Sequence, residues 1–110
     1  MGTTGLLGEL EQLVLLAVLR LKERAYAVAI HREIEHQSGI RMSRGSIYVT
    51  LDRLEKKGYL KSWFADPTPQ RGGKAKRFFR LEPVASQSLL QCKNALLKMW
   101  EGVEPRWEEV

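Results

Sequence analysis

The sequence predicts a mainly α-helical fold with a small β-hairpin, in the order three helices, hairpin, fourth helix. Two observations lead to this prediction. Before Gly58 and after Pro83, apolar residues recur at the three- and four-residue spacing of amphipathic helices. Between these segments, the aromatic-rich runs "YLKSWF" (59–64) and "AKRFFRL" (75–81) have the composition of strands. With 110 residues, the chain is too short for two independent hydrophobic cores.

The first helix is expected over residues 7–22. Glu9 and Glu11 fall in its first turn, where the helix dipole favours acidic side chains. Leu15, Leu16 and Leu19 lie away from its inner face, so the helix is apolar almost all round and needs an apolar neighbour beyond its own core. This is a first indication of a dimer. The inner face itself comprises Leu10, Leu13, Val14, Ala17 and Leu21.

The second and third helices have clear predicted ends. The second is expected over residues 27–38, with Gly39 placed to end it. Ser43 is a good N-cap for the third helix, and Gly58 is suited to follow its last turn. Only a short turn therefore separates the two helices. The residues expected to face inward are Ala27, Ile30, Ile34, Ile47, Leu51 and Leu54.

The hairpin is expected to have a long basic tip. Its strands are separated by "ADPTPQRGGK" (65–74), which is rich in Pro and Gly and too long for a tight turn. Pro83 then suits the first position of the last helix, which is expected to reach Trp100 or Gly102. We therefore divide the chain into residues 1–82, with three helices and the hairpin, and residues 83–110, a C-terminal helix and tail.

The C-terminal helix carries a wide apolar seam. The seam follows the heptad spacing of a coiled coil and comprises Ala85, Leu89, Cys92, Leu96, Met99 and Val103. Leu90, Leu97 and Trp100 widen it on one side. A small domain cannot easily cover so much apolar surface. Packing against a second copy is the simplest explanation, and the alternative is that the helix folds back on its own domain.

Basic side chains are concentrated in the middle of the chain. From Arg41 to Arg80 there are eleven Lys or Arg residues against three Asp or Glu, whereas the rest of the chain has seven against ten. Because a localised positive surface attracts anions, this distribution favours a partner such as nucleic acid. The excess could also serve solubility alone, so charge by itself does not decide the function.

The order of elements is that of a winged helix-turn-helix domain with a C-terminal dimerisation helix. In this fold the third helix enters the major groove of double-stranded DNA, while the hairpin, or wing, and the start of the second helix reach the backbone. Arg44 or Arg53 could bind guanine or phosphate through two hydrogen bonds. The candidate DNA-binding residues are Ser43, Arg44, Gly45, Ser46, Tyr48, Val49, Thr50, Arg53, Lys57, Arg71, Lys74, Lys76 and Arg77.

A family pattern is carried by "GSIYVTLDRLEKKGYL" and the later "KAKRFFRL". These segments resemble the PadR family of bacterial transcriptional regulators, in which a small residue, an apolar residue and Tyr precede Leu-x-Arg-Leu-Glu-x-x-Gly. "AYAVAIHREI" is similar to the family's Tyr-Gly-Tyr-x-Ile segment, and the likeness extends from Leu7 to Trp100. The chain departs from the usual family residues at Ala27, Phe78-Phe79, Glu82 and Ala85.

The resemblance implies a repressor that forms a homodimer through the fourth and first helices. In some multidrug-binding relatives, tryptophans of the fourth helix hold planar ligands; their position corresponds to Leu96, one turn before Trp100. The favoured role of Trp100 is packing against the partner helix, and the alternative is a small planar hydrophobic effector bound at Leu96 and Trp100. The expected interface residues are Leu15, Leu16, Leu19, Leu89, Cys92, Leu96, Met99, Trp100 and Val103.

Signals for catalysis are weak, so no enzyme activity, cofactor or metal site is expected. His31 and His36 lie on different faces of the second helix, and their spacing fits no zinc-protease motif. Cys92 is the only cysteine, so an internal disulfide is excluded, and no apolar run is long enough to span a membrane. We expect a cytoplasmic DNA-binding regulator. The alternative is a winged-helix module that binds another protein instead of DNA.

Overall fold

The computed structural model describes residues 6–65 and 75–103, and these residues form four α-helices and a two-stranded hairpin. The elements in chain order are α1 (Glu9–Leu21), a short 3-10 helix (Lys22–Arg24), α2 (Ala27–Ser38), α3 (Arg44–Lys56), β1 (Leu60–Phe64), β2 (Arg77–Leu81) and α4 (Pro83–Trp100). This order confirms the predicted fold class. The first helix is shorter than expected because Lys22, with φ 57° and ψ −123°, lies outside the helical region of backbone conformation.

Local hydrogen bonds fix the turn between α2 and α3. Gly39 ends α2 in the left-handed conformation, with φ 75°, and its N–H donates to the carbonyl of Glu35 at 2.9 Å. Ser43 begins α3 as predicted, since its Oγ accepts a hydrogen bond from the Ser46 N–H at 3.1 Å. Between them, His31 Nε2 donates to the carbonyl of Met42 at 2.7 Å. The start of α3 is therefore held to α2.

The hairpin is tied to the segment that precedes α2. β1 and β2 pair antiparallel, from Leu60 opposite Leu81 to Phe64 opposite Arg77. Along the other edge of β2, Tyr26 forms an isolated bridge with Phe78, and the N–H of Phe79 donates to the carbonyl of Ala25 at 2.9 Å. The wing therefore leaves the body of the protein from a fixed base.

All four helices and both strands contribute to one hydrophobic core. The first half of α4 belongs to it, and the N–H of Leu7 donates to Cys92 Sγ at 3.4 Å, which joins the start of α1 to α4. The first half of α4 is therefore packed against the rest of the domain. The core includes Val14, Leu15, Ile30, Ile47, Leu51, Leu54, Leu60, Phe79, Ala85, Leu89 and Cys92.

Three of the residues predicted to form the dimer interface are buried within the protomer instead. Leu15 is fully covered, and Leu89 and Cys92 are almost fully covered. The reason is that α1 and α4 each pack one side onto the domain core. The first half of the heptad seam of α4 is therefore covered by this core and is not available to a second copy. The predicted interface residues that stay exposed are Leu16, Leu19, Leu96, Met99, Trp100 and Val103.

Candidate nucleic-acid interface

The outward face of α3 is exposed from its first turn to its last. Val49 is 57% exposed and Tyr48 46%. Arg44, Gly45 and Arg53 are exposed as well, while Ser46 is half-buried. These side chains lie away from the core, so the helix presents a surface that nothing within the described part of the protomer covers.

The prediction for Thr50 is wrong. This side chain is only 1% exposed and lies in the buried stripe of α3, not on the outward face. Thr50 stands three residues after Ile47 and four before Leu54, so helical geometry puts all three on one side. Conversely, Lys56 was not predicted as a contact. It is exposed and lies seven residues after Val49, hence above it on the outward face.

The first turn of α3 is open and polar. The hydroxyls of Ser43 and Ser46 lie 2.9 Å apart. A methyl group added at Gly45 would meet only Ser43 Oγ, at 3.9 Å. Packing within the protomer therefore does not require glycine at this position, and its small size leaves the helix backbone accessible. Such a turn, with free backbone N–H groups and Arg44 beside it, is suited to bind a phosphate.

Lys57 does not present a free charge. Its Nζ donates to Glu11 Oε2 at 2.8 Å, and Glu11 is only 6% exposed at the start of α1. Burial would raise the pKa of Glu11. Hydrogen bonds from Lys57 and the Gly8 N–H, together with the positive charges of Lys57 and Arg53, outweigh burial and hold the pKa below its ordinary value of 4.5. Lys57 thus joins the end of α3 to α1.

Arg77 also turns inward, contrary to the prediction. Its guanidinium makes ion pairs with Asp52 and Glu55 of α3, and its Nε donates to Ser62 Oγ of β1 at 3.1 Å. The predicted contact to DNA assumed a side chain that reaches solvent. The strand register explains the difference, because Arg77 shares the inner face of the hairpin with the buried Phe79.

Aromatic side chains form the base of the wing. Lys76 Nζ lies 4.0 Å from the ring centroid of Tyr26, and Tyr26 meets Phe78 edge-on with centroids 5.6 Å apart. Trp63 stacks on the same Phe78 at 6.2 Å. Lys76 is thus positioned beside the start of α2 by a cation–π contact. Arg71 and Lys74, the other predicted wing contacts, lie outside the described residues.

A shallow cavity of about 370 Å³ separates the start of α2 from the wing. Its wall includes Tyr26, Tyr48, Phe64 and Lys76. Of these, Tyr26 and Phe64 were not predicted as site residues. The sequence signal for Tyr26 was its place directly before α2, in the segment that resembles the family pattern. Tyr48 and Lys76, both predicted, are brought together here.

A second exposed surface runs along α1 and α4. Leu16 and Leu19 of α1 face Leu97 and Trp100 of α4 across an apolar groove of about 490 Å³. Leu96, predicted with Trp100 as a ligand contact, also lines this groove. The side chains of Leu97 and Trp100 are 54% and 51% exposed. This groove lies on different elements from the outward face of α3.

Two kinds of site find no support in residues 6–65 and 75–103. These residues contain no group of three or more His, Cys, Asp or Glu side chains able to hold a metal ion. Within the same ranges, no helix combines the length and apolar character needed to cross a membrane.

Comparison with solved structures supports the fold. A PadR family transcriptional regulator from Eggerthella lenta is 26% identical, with a TM-score of 0.66 over 86% of this chain and 82% of that one. A PadR-like transcription factor from Bacteroides fragilis is 23% identical, with a TM-score of 0.69 over 86% and 85%. A PadR family regulator from Clostridium difficile is 20% identical, with a TM-score of 0.65 over 83% and 94%.

The family assignment comes from the sequence. No curated protein matches the chain significantly. The sequence model of the transcriptional regulator PadR-like family, however, matches residues 15–86, which include α2, α3 and both strands of the wing. The match covers more than half of the chain and confirms the resemblance seen in its motifs. The protein is a member of the transcriptional regulator PadR-like family, with a winged-helix fold.

Proposed function

We propose that the protein is a homodimeric, sequence-specific DNA-binding repressor. The observation that carries this proposal is the uncovered outward face of α3 in a family of transcriptional regulators. The residues at the start of such a helix are the ones that reach base edges in the major groove. Within α3 itself, Arg44 and Tyr48 are the exposed polar side chains nearest that end.

Each part of the surface has a different task in this proposal. Gly45 and Val49 face the groove, where Val49 can contact a thymine methyl group. Arg44 reads guanine or holds a phosphate, and Arg53 and Lys56 extend the positive surface along α3. Lys76, with the start of α2, binds the DNA backbone. Lys57 and Arg77 are withdrawn from the contact set, because both are engaged within the protomer.

The apolar groove between α1 and α4 supports the dimer. Burying a leucine fully contributes about 1.5–3 kcal/mol, and Leu16, Leu19 and Leu97 are each about half exposed in the protomer. A second copy that offers its own α4 would cover them. Two-fold symmetry would then present two copies of α3 to successive turns of DNA, about 34 Å apart.

A small planar hydrophobic effector would bind in the same groove, against Leu96 and Trp100. Its binding would alter the packing of α4 and hence the spacing of the two α3 helices. Quenching of tryptophan fluorescence by a planar dye tests this, with Trp100→Phe as the control. Equal quenching of both proteins would contradict binding at Trp100.

The first experiment measures DNA affinity by fluorescence anisotropy. The probes are a duplex from upstream of the gene and a scrambled duplex, each in a series of salt concentrations. We expect binding of the upstream duplex to be tighter by about 10³-fold or more. For each tenfold rise in salt concentration, log K should fall by about 0.9 per phosphate contacted. Sedimentation at several protein concentrations establishes the dimer in parallel.

Three outcomes would each contradict a part of the proposal. Equal, salt-sensitive binding of both duplexes would mean that the protein does not read this sequence. Absence of binding at low salt would favour a winged-helix module that binds another protein. A monomer at all concentrations would contradict the dimer alone.

A further inference from the structure

Arg77 lies at the centre of a polar cluster that joins the wing to α3. Its Nη1 lies 3.3 Å from Asp52 Oδ1, its Nη2 pairs with Glu55 Oε1, and its Nε donates to Ser62 Oγ at 3.1 Å. Ser62 in turn donates to Glu55 Oε2 at 2.7 Å. Asp52 and Glu55 are one turn apart on α3, Ser62 is in β1, and Arg77 is in β2. The cluster therefore connects three elements.

The geometry leaves Arg77 little capacity to bind DNA. All three nitrogens of its guanidinium have partners within the protomer. The guanidinium carbon lies 5.0 Å from the ring centroid of the buried Phe79, which limits access from that side. Two carboxylates beside it also offset its positive charge. A phosphate at Arg77 would therefore compete with partners that the guanidinium already has.

The position of the cluster along the hairpin gives it a mechanical role. Arg77 pairs with Phe64, and this is the last pair of the ladder between the two strands. Beyond that pair, the Ala65 N–H donates to the Lys76 carbonyl at 2.8 Å. An anchor at this point holds the end of the ladder, with Ala65 and Lys76 beside it, against α3.

We propose that Arg77 is a positioning residue. With Asp52, Glu55 and Ser62 it holds β1 and β2 against α3, and so decides where Lys76, at the described base of the wing, meets the DNA backbone. This inference rests on the proposed DNA binding. Two acidic side chains next to a DNA-binding surface, which would otherwise repel phosphates, then have a purpose.

The decisive variant is Glu55→Gln, because the two roles of Arg77 predict opposite signs. If Arg77 positions the wing, loss of the Glu55 charge loosens the anchor and weakens binding of the upstream duplex by about threefold or more. If Arg77 contacts DNA, the same change frees its guanidinium, removes a negative charge and strengthens binding. Glu101→Gln, which changes the exposed acidic residue directly after α4, is the control for net charge.

Further variants separate the guanidinium from its charge. Arg77→Gln removes the anchor and should weaken binding of the upstream duplex. Arg77→Lys keeps the charge but cannot bind two carboxylates in the same way, so its affinity for this duplex should remain close to that of Arg77→Gln. The double variant Arg77→Gln with Glu55→Gln should bind no more weakly than either single one. Circular dichroism and thermal unfolding identify any variant that fails to fold. Asp52→Asn, which changes the more exposed of the two acidic partners of Arg77, is then used in place of that variant.

Amide hydrogen exchange provides a readout that does not depend on DNA. We expect Glu55→Gln to accelerate exchange at Ala65, whereas Glu101→Gln leaves it unchanged. Faster exchange without any preference between duplexes would mean that the anchor exists but the proposed function fails. Unchanged exchange, tighter DNA binding by Glu55→Gln, or full restoration of affinity by Arg77→Lys would overturn the positioning role.

Discussion

The helices α3 and α4 are each held more firmly along one half than along the other, but in opposite order. In α4 the first half is buried through Ala85, Leu89 and Cys92, and the second half is exposed. In α3 a buried stripe runs along the whole helix, but outside that stripe the second half is held by the ion pairs of Glu55 and Lys57, whereas the first half is open. The packed halves fix both helices within the protomer.

The chemistry of the open halves differs. The open half of α4 exposes Leu97 and Trp100, which only another apolar surface can cover favourably. The open half of α3 exposes Arg44, Gly45 and Tyr48, which suit a polar and anionic partner. An amphipathic pattern alone therefore does not reveal a partner; the side chains that the protomer leaves uncovered do.

The largest effect is expected from a contrast within α4. Leu89→Ala should lower the free energy of unfolding by about 2–5 kcal/mol at any protein concentration, because it leaves a cavity in the core. Leu97→Ala removes the same atoms from an exposed site. It should chiefly weaken self-association and make unfolding depend less on concentration. Chemical denaturation at high and low protein concentration checks both variants. If both lost the same free energy of unfolding at low protein concentration, the contrast between a buried first half and an exposed second half of α4 would be contradicted.

Arg44→Ala tests the open half of α3. We expect specific DNA binding to weaken by about 1–3 kcal/mol if Arg44 reads a base, with thermal stability unchanged. Lys98→Ala, which removes a positive charge from exposed α4, serves as the control. Anisotropy titration of both variants measures the difference. Equal affinities for the two would exclude Arg44 from the interface.

Lys57→Ala tests the packed half of α3. It leaves the buried carboxylate of Glu11 without its charged partner, so the free energy of unfolding should fall by about 1–3 kcal/mol. The affinity of the folded protein for DNA should change less than in Arg44→Ala. Denaturation and anisotropy on the same samples compare the two properties. A variant with native stability and weakened binding would return Lys57 to the DNA contacts.

Ser43→Ala tests the boundary at which the open half begins. The N-cap hydrogen bond to Ser46 is lost, and stability should decrease by about 0.5–2 kcal/mol. Ser43→Gly should lower the stability by only about a few tenths of a kcal/mol, because glycine is also tolerated at the N-cap. Thermal unfolding distinguishes the two variants. Equal stability of Ser43→Ala and the wild type would exclude a stabilising cap.

The smallest expected effect is a pH dependence through Glu11. Because its pKa is lower folded than unfolded, its stabilisation is present above the unfolded value and is lost as the pH falls through the folded value. The stability difference between wild type and Glu11→Gln should therefore shrink below pH 4.5, the ordinary pKa. Urea denaturation from pH 7 to pH 3 measures it. Parallel pH curves would contradict this linkage.

Much of the fold could be predicted because the helix ends carry strong local signals. Ser43, Gly39 and Pro83 lie where the structure begins or ends helices, and the apolar spacing correctly predicted Ile47 and Leu54 as core residues. These signals depend on backbone conformation and on burial of one helical face, which nearby residues determine.

The site was predicted less completely because its details depend on distant residues. Thr50 was predicted as a DNA contact, although its spacing from Ile47 and Leu54 places it in the buried stripe. Arg77 and Lys57 looked like free cations because their acidic partners lie 22 to 46 residues away. Leu15, Leu89 and Cys92 were assigned to a second copy because sequence does not reveal how far α4 packs on its own domain.

The hydrogen bond from Leu7 to Cys92 has a consequence for synthesis of the chain. Its two residues are separated by 85 positions, and at a rate of about 5–20 residues per second the first must wait several seconds for the second. During that interval the start of α1 lacks its cover from α4, and its leucines are accessible to other nascent chains. Among the helices that the structure describes, α4 is synthesised after the others and is the one that secures the start of α1.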